Sequence, residues 1–133
     1  MSELPLRLLP GNDLRGRLEA VLAEHGVEAG FVLAGIGSLS VVRLRLAGAQ
    51  EATVLEGDLE LLGLAGSLSV DGAHLHASVA DAAGRVWGGH VLSGCVVRTT
   101  AEVLLALLSG WRFTREPDGA TGYAELTLRR NLQ

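Results

Sequence analysis

Three histidines near the middle of the chain have a spacing that could bind a metal ion. His74 and His76 are two residues apart, and His90 lies in the next predicted strand. If His74 and His76 lie on a β-strand, both imidazoles point to the same face, because successive side chains alternate. Three neutral imidazoles suit zinc best, with nickel, copper and iron as alternatives. Three protein ligands with an open position are typical of catalytic zinc, whereas structural zinc usually has four ligands.

Whether His90 joins the other two depends on the hairpin loop between the two strands. A two-residue loop would place His90 opposite Leu75, on the other face. A three-residue loop, Ala82 to Gly84, would place His90 directly across from His76, with Cβ atoms roughly 4.5–5.5 Å apart. The longer loop is favoured because such loops end in a left-handed residue, a conformation that glycine adopts readily. We therefore predict that the three imidazoles share one face.

Candidates for a fourth ligand are Asp71, Cys95 and Glu102, and each of them also fits a structural role. Cys95 is the single cysteine, so it cannot form an internal disulfide. We expect its side chain to be a small buried residue of the core. Glu102 is the best candidate for a general acid or base if the site is catalytic.

Two pairs of residues could shape the surroundings of the histidines. Gly88 and Gly89 remove side chains beside His90, which leaves room for a water molecule or ligand, or marks a β-bulge. Arg43 and Arg45 alternate onto one face of a predicted strand. There they could meet an anion or another subunit, or simply form a solvated charged face.

A sheet must position these residues, because most of the chain has the pattern of short strands. One helix is predicted over about residues 13–25, capped by Asn12 or Asp13 and ended by Gly26, with His25 beside the helix dipole. A strand at 4–9 precedes it. Further strands are predicted at 29–36, 39–47, 51–57, 59–69, 73–80, 85–92, 94–99 and 121–129. Segment 101–108 fits a strand or a short helix, and residues 116–119 a turn.

Composition limits the classes of protein that fit this pattern. The chain has 133 residues, 48% hydrophobic and 20% charged, which suits one α+β domain over residues 1–133 with a mostly antiparallel sheet. The sequence has no apolar run that could span a membrane and no basic, apolar export signal, so a cytoplasmic protein is expected. A net charge of -4 and 4% aromatic residues argue against autonomous binding to nucleic acid.

Several segments together resemble the plant- and prokaryote-conserved (PPC) domain over nearly the whole chain. They are GDLELLGLAGSLS at 57–69, HLH at 74–76, GGHVLSGCVV at 88–97 and TAEV at 100–103. The resemblance implies an antiparallel sheet flanked by one or two main helices, a homotrimer, and a metal held by His74, His76 and His90. The fold that this resemblance implies is also similar to that of acetolactate decarboxylase, which binds zinc through a His-x-His pair and a later histidine.

In plants the PPC domain accompanies a basic Arg-Gly-Arg-Pro hook that enters the DNA minor groove. Here Arg15-Gly16-Arg17 is followed by Leu18 inside the predicted helix, so we interpret it as a solvated helix face. We expect a trimeric zinc-binding domain that acts as a binding or regulatory module for a small ligand. The alternatives are a zinc enzyme acting on a small carbonyl or ester substrate, and a DNA-associated protein.

Overall fold

The computed structural model describes residues 1–131 and has one helix and two antiparallel sheets. The helix, α1, spans Leu14–Glu24 and follows strand β1 at Ser2–Leu8. The remaining strands are β2 Ala29–Arg45, β3 Thr53–Ser69, β4 Gly72–Ala80, β5 Val86–Val91, β6 Val96–Leu107, β7 Trp111–Pro117 and β8 Ala124–Arg130. The large sheet has the order β1-β6-β2-β3-β4-β5, and β7 pairs with β8. This confirms the predicted α+β class. No helix in the described residues is long and apolar enough to cross a membrane.

The last strand of the large sheet closes part of it into a ring. The end of β2 pairs with β5, with Leu44 opposite Val91 and Arg45 opposite His90, so β2, β3, β4 and β5 form a closed circuit. Gly89 permits this closure, because a Cβ atom there would lie 2.6 Å from the Arg45 carbonyl oxygen. The sequence pattern did not predict this pairing.

The apolar core fills the inside of the curved sheet and is covered by α1. The helix buries Leu14, Leu18, Val21 and Leu22. It begins as predicted at Asp13, whose side chain accepts a hydrogen bond from the Gly16 N–H at 2.7 Å. Gly26 has a φ of +64°, which confirms the predicted left-handed residue after the helix.

Three predicted breaks between strands are wrong. Strand β2 joins the two strands predicted at 29–36 and 39–47, and β3 joins those predicted at 51–57 and 59–69. Strand β6 joins the strand predicted at 94–99 to the segment 101–108, so this segment is a strand and not a short helix. Glycine explains part of the error, because a glycine within a strand pattern is also typical of the end of a strand. Gly37 instead lets two neighbouring strands approach, because a Cβ atom there would lie 2.6 Å from the Thr100 carbonyl oxygen.

Strand β7 was not predicted, and the predicted turn at 116–119 begins two residues before the turn in the structure. Glu116 and Pro117 lie in β7, and the turn runs from Asp118, whose carbonyl accepts from the Gly122 N–H at 2.8 Å. Proline is tolerated because it lies at the end of a strand with one partner in its sheet. Phe113 is buried, and its N–H donates to the Glu28 carbonyl at 3.0 Å, which ties β7 to the main sheet.

Candidate metal centre

The hairpin between β4 and β5 brings the three histidines together in the predicted register. His76 lies directly opposite His90. The loop has the predicted three residues, since the Asp81 N–H donates to the Arg85 carbonyl at 2.9 Å and Gly84 has a φ of +81°. The Asp81 carboxylate also accepts from the Ala83 and Arg85 backbone N–H groups, both at 3.0 Å, which stabilises this loop.

The geometry of the three imidazoles fits a shared transition-metal ion. His74 Nε2 and His76 Nε2 are 3.1 Å apart. Two nitrogens bound to one tetrahedral zinc ion at about 2.0–2.1 Å lie about 3.3–3.4 Å apart. One ligand atom from each of the three histidines lies within 4.8 Å of the other two. Three nitrogen donors without a carboxylate suit zinc and related metals rather than magnesium or calcium.

The inner face of β4 fixes the direction of its two histidines. Leu75 and Val79 are buried in the core, so the alternating side chains of His74 and His76 must stand on the outer face. On β5, Gly88 shares the outer face with His90 and leaves it open, as predicted. Gly89 points to the other face and makes room for the β2 backbone, and the register is continuous from Val86 to His90 without the bulge considered above.

The surroundings favour the neutral, metal-binding form of two of the histidines. Partial burial lowers the pKa of His74, and the positive charge of Arg115 adds to this effect. Partial burial also lowers the pKa of His90, followed by the effects of His76 and Arg45. A histidine must be neutral to bind a metal ion, so both groups are ready to act as ligands at neutral pH.

These lowered pKa values predict a pH-dependent stability of the metal-free protein. Histidine in the unfolded chain titrates near 6.5, and His74 and His90 titrate lower in the folded state. The unfolded state therefore binds more protons as pH falls through this range, so the free energy of unfolding is highest above pH 6.5 and declines below it. We expect the urea midpoint of chelator-treated protein to fall between pH 7 and pH 5.

A double variant, His74→Asn with His90→Asn, provides the control for this decline. It should lose less stability than the wild type over the same range. Asp81 and Glu116 have lowered pKa values from ordinary values of 3.8 and 4.5, so their stabilising effect is lost only at lower pH. An equal decline in both proteins would show that these histidines do not cause it.

The structure does not place the candidate fourth ligands in the histidine cluster. Cys95 is buried, where desolvation raises the pKa of its thiol, and it donates to the Arg43 carbonyl at 3.4 Å. The Asp71 carboxylate accepts from the Arg115 backbone N–H at 2.9 Å. Glu102 lies on β6 opposite Ile36 of β2, in a separate groove. Within the described chain, the group of side chains that could hold a metal ion consists of the three histidines.

Two sites that the sequence analysis interpreted as non-functional are structural in the fold. Arg15 and Arg17 lie in α1 and form ion pairs with Glu19 and Glu24, which agrees with a helix face and not with an extended DNA hook. His25 ends the helix, and its Nδ1 lies 3.1 Å from the Val21 carbonyl.

Arg115 is a neighbour of the cluster that the sequence pattern did not indicate, because no strand was predicted at the segment that carries it. Arg115 donates from its guanidinium to Ser67 Oγ at 3.0 Å. Ser67 is the partner of His74 across β3 and β4, so Arg115 reaches the edge of the cluster. The available signal was the apolar–charged–apolar order of Trp111, Arg112 and Phe113 at the start of β7.

Comparison with known proteins supports the same fold and family. The family model of the Plants and Prokaryotes Conserved (PCC) domain matches residues 1–109. The bifunctional protein GlmU of two Synechococcus strains is 53% and 51% identical over 126 and 125 residues. These matches cover 95% and 94% of this chain but 20% of each GlmU protein, so the chain spans about a fifth of the length of these curated relatives.

Solved structures also resemble the chain over most of its length. A hypothetical protein from Salmonella enterica has a TM-score of 0.94 and 38% identity, covering 98% of this chain and 95% of its own. The metal-containing protein AF0104 from Archaeoglobus fulgidus has a TM-score of 0.80 and 28% identity, covering 96% and 94%. A Bacteroides thetaiotaomicron protein provisionally named DNA-binding has a TM-score of 0.83 over 94% and 91% of the chains, and at 21% identity it shows the fold alone. The chain therefore belongs to the Plants and Prokaryotes Conserved domain family.

Proposed function

We propose that this protein binds one zinc ion per chain through His74, His76 and His90. The observation that carries the proposal is the convergence of three imidazoles on one outer face, with their ligand atoms within 4.8 Å. A related solved structure is named as a metal-containing protein, which supports a metal at this fold. When bound, zinc would polarise an oxygen of a ligand or lower the pKa of a bound water.

In this proposal the domain is a cytoplasmic binding or regulatory module for a small ligand. A closely similar segment forms about a fifth of the bifunctional protein GlmU, so a domain of this type occurs as one part of a longer protein. The histidines have an open outer side, where a ligand can reach them. A zinc enzyme is the alternative, but it needs an acid or base, and Glu102 lies in another groove of the chain.

The proposal includes a homotrimer. Away from the histidines, the outer face of the sheet exposes three large apolar side chains, Leu33, Ile36 and Leu62. A contiguous exposed apolar patch of this kind is typical of a protein–protein contact. Ile36 and Leu62 line the same groove, which also contains Glu60, Arg98 and Glu102. Contact between copies of the chain would cover this apolar surface.

Zinc titration of chelator-treated protein, combined with sedimentation equilibrium, tests this function. We expect one zinc ion per chain by calorimetry and a particle of three chains, each of 13.9 kDa. A chain that binds no zinc would contradict the metal site. A monomer with one zinc ion would contradict the trimer and leave the metal site supported.

A further inference from the structure

Two arginines without a carboxylate partner lie beside the histidine cluster. Arg45 is the direct partner of His90 across β2 and β5, so the two side chains share a face. Arg115 reaches the other side, where its guanidinium donates to Ser67 Oγ at 3.0 Å. Among residues 1–131, six arginines form ion pairs with carboxylates, and neither Arg45 nor Arg115 is one of them.

A third arginine lies nearby but is already neutralised. Arg15 donates to the Val91 carbonyl at 2.9 Å, next to His90, and forms an ion pair with Glu19. The Asp71 carboxylate accepts a hydrogen bond from the backbone N–H of Arg115, and not from its guanidinium. Arg45 and Arg115 therefore keep their positive charges available to a ligand.

These charges complement an anion and not a cation. A divalent ion held by three neutral imidazoles would keep its full charge, because in the described chain no carboxylate belongs to the cluster. The arginines add to that charge and oppose metal binding by repulsion. An anion at the open side of the cluster would offset the charge of the metal ion and the charges of the two arginines. Binding such an anion would give the arginines a role that metal binding alone does not explain.

A small apolar depression adjoins the cluster and limits the size of this anion. It is lined by Phe31, Ala65, Gly66, Ser67, His74 and His76 and has a volume of about 200 Å³. Sites for larger ligands usually have about 300–1,000 Å³. Three small residues and the Phe31 ring form most of its wall, so it suits a short apolar group rather than a sugar or nucleotide.

We propose that the open side of the histidine cluster binds a small carboxylate, with Arg45 and Arg115 as its charged partners. The planar guanidinium matches a carboxylate in two parallel hydrogen bonds. The short apolar part of the ligand lies against Phe31. This inference rests on the proposed metal site and adds the chemical class of its ligand.

Visible absorption of the cobalt-loaded protein tests the proposal, because cobalt reports changes in its own ligands. Isobutyrate should change the spectrum with saturation, and the neutral isobutyramide should not. Arg45→Met and Arg115→Met should each weaken isobutyrate binding about ten- to hundredfold, as expected for loss of a charge-assisted hydrogen bond. Arg7→Met is the matched control, since Arg7 is an exposed arginine on β1 without an ion pair in the described chain.

The affinity for cobalt separates a ligand role from a structural role. Removing a nearby positive charge should leave cobalt affinity unchanged or raise it, while isobutyrate affinity falls. A fall in both would overturn the proposal in favour of a structural role. Cobalt binding with no response to isobutyrate, or with a response to inorganic phosphate alone, would overturn the carboxylate assignment and leave the metal site intact. Failure to bind cobalt and zinc would instead refute the metal site itself.

Discussion

Replacing His76 with alanine is expected to lower the zinc affinity of the metal-free protein by more than a hundredfold. His76 lies between the other two histidines. Its Nε2 is 3.1 Å from Nε2 of His74, and it lies directly opposite His90 across the two strands. Loss of a partner that only orients a metal ligand costs about 10–100-fold in affinity, and loss of the ligand itself should exceed that. Competition with a chromophoric chelator measures the change.

The fourth histidine of the chain provides the control. His25→Ala removes an imidazole at the end of α1, outside the cluster, and should leave zinc affinity within about twofold of the wild type. Equal affinity in the wild type and the His76→Ala variant would contradict the assigned ligands.

Gly66→Ala is expected to destabilise the fold by about 3 kcal/mol or more. Gly66 has a φ of +153°, and a Cβ atom there would lie 2.1 Å from the His74 carbonyl oxygen. Overpacking costs about 1–3 kcal/mol and an unfavourable backbone conformation about 1–3 kcal/mol more. A domain is stable by only about 5–15 kcal/mol, so a large share of the stability should be lost. Urea unfolding followed by circular dichroism measures it.

Gly63→Ala on the same strand is the matched control. The nearest atom to a Cβ there is Ser78 Oγ at 3.5 Å, an ordinary contact, so the change should alter stability by less than about 1 kcal/mol. The flanking residues Ala65 and Ser67 pair with His76 and His74, so Gly66→Ala should also weaken zinc binding. Equal stability of the two variants would show that β3 and β4 approach less closely at Gly66.

The histidine cluster could be predicted from the sequence because its geometry depends on local rules. Alternation on a strand places His74 and His76 together, and the three-residue loop ending at Gly84 places His90 opposite His76. Both rules act within one hairpin, and the structure has the predicted register. The helix was equally local, since Asp13 and Gly26 mark its ends.

The surroundings of the cluster depend on contacts between distant segments, which no local pattern contains. The pairing of Arg45 with His90 joins the second and fifth strands, and Arg115 comes from a hairpin beyond the large sheet. Glycines marked some of these contacts, but the sequence alone does not distinguish a glycine that ends a strand from one that admits a neighbouring backbone. Gly37 and Gly89 are of the second kind.

A crystal structure of the zinc-loaded protein, with anomalous data collected on both sides of the zinc absorption edge, tests the central claim most directly. We predict one anomalous peak per chain, about 2.0–2.1 Å from one nitrogen of each of His74, His76 and His90. A zinc peak bound to other residues, or zinc-saturated protein with no peak at these three imidazoles, would contradict the account.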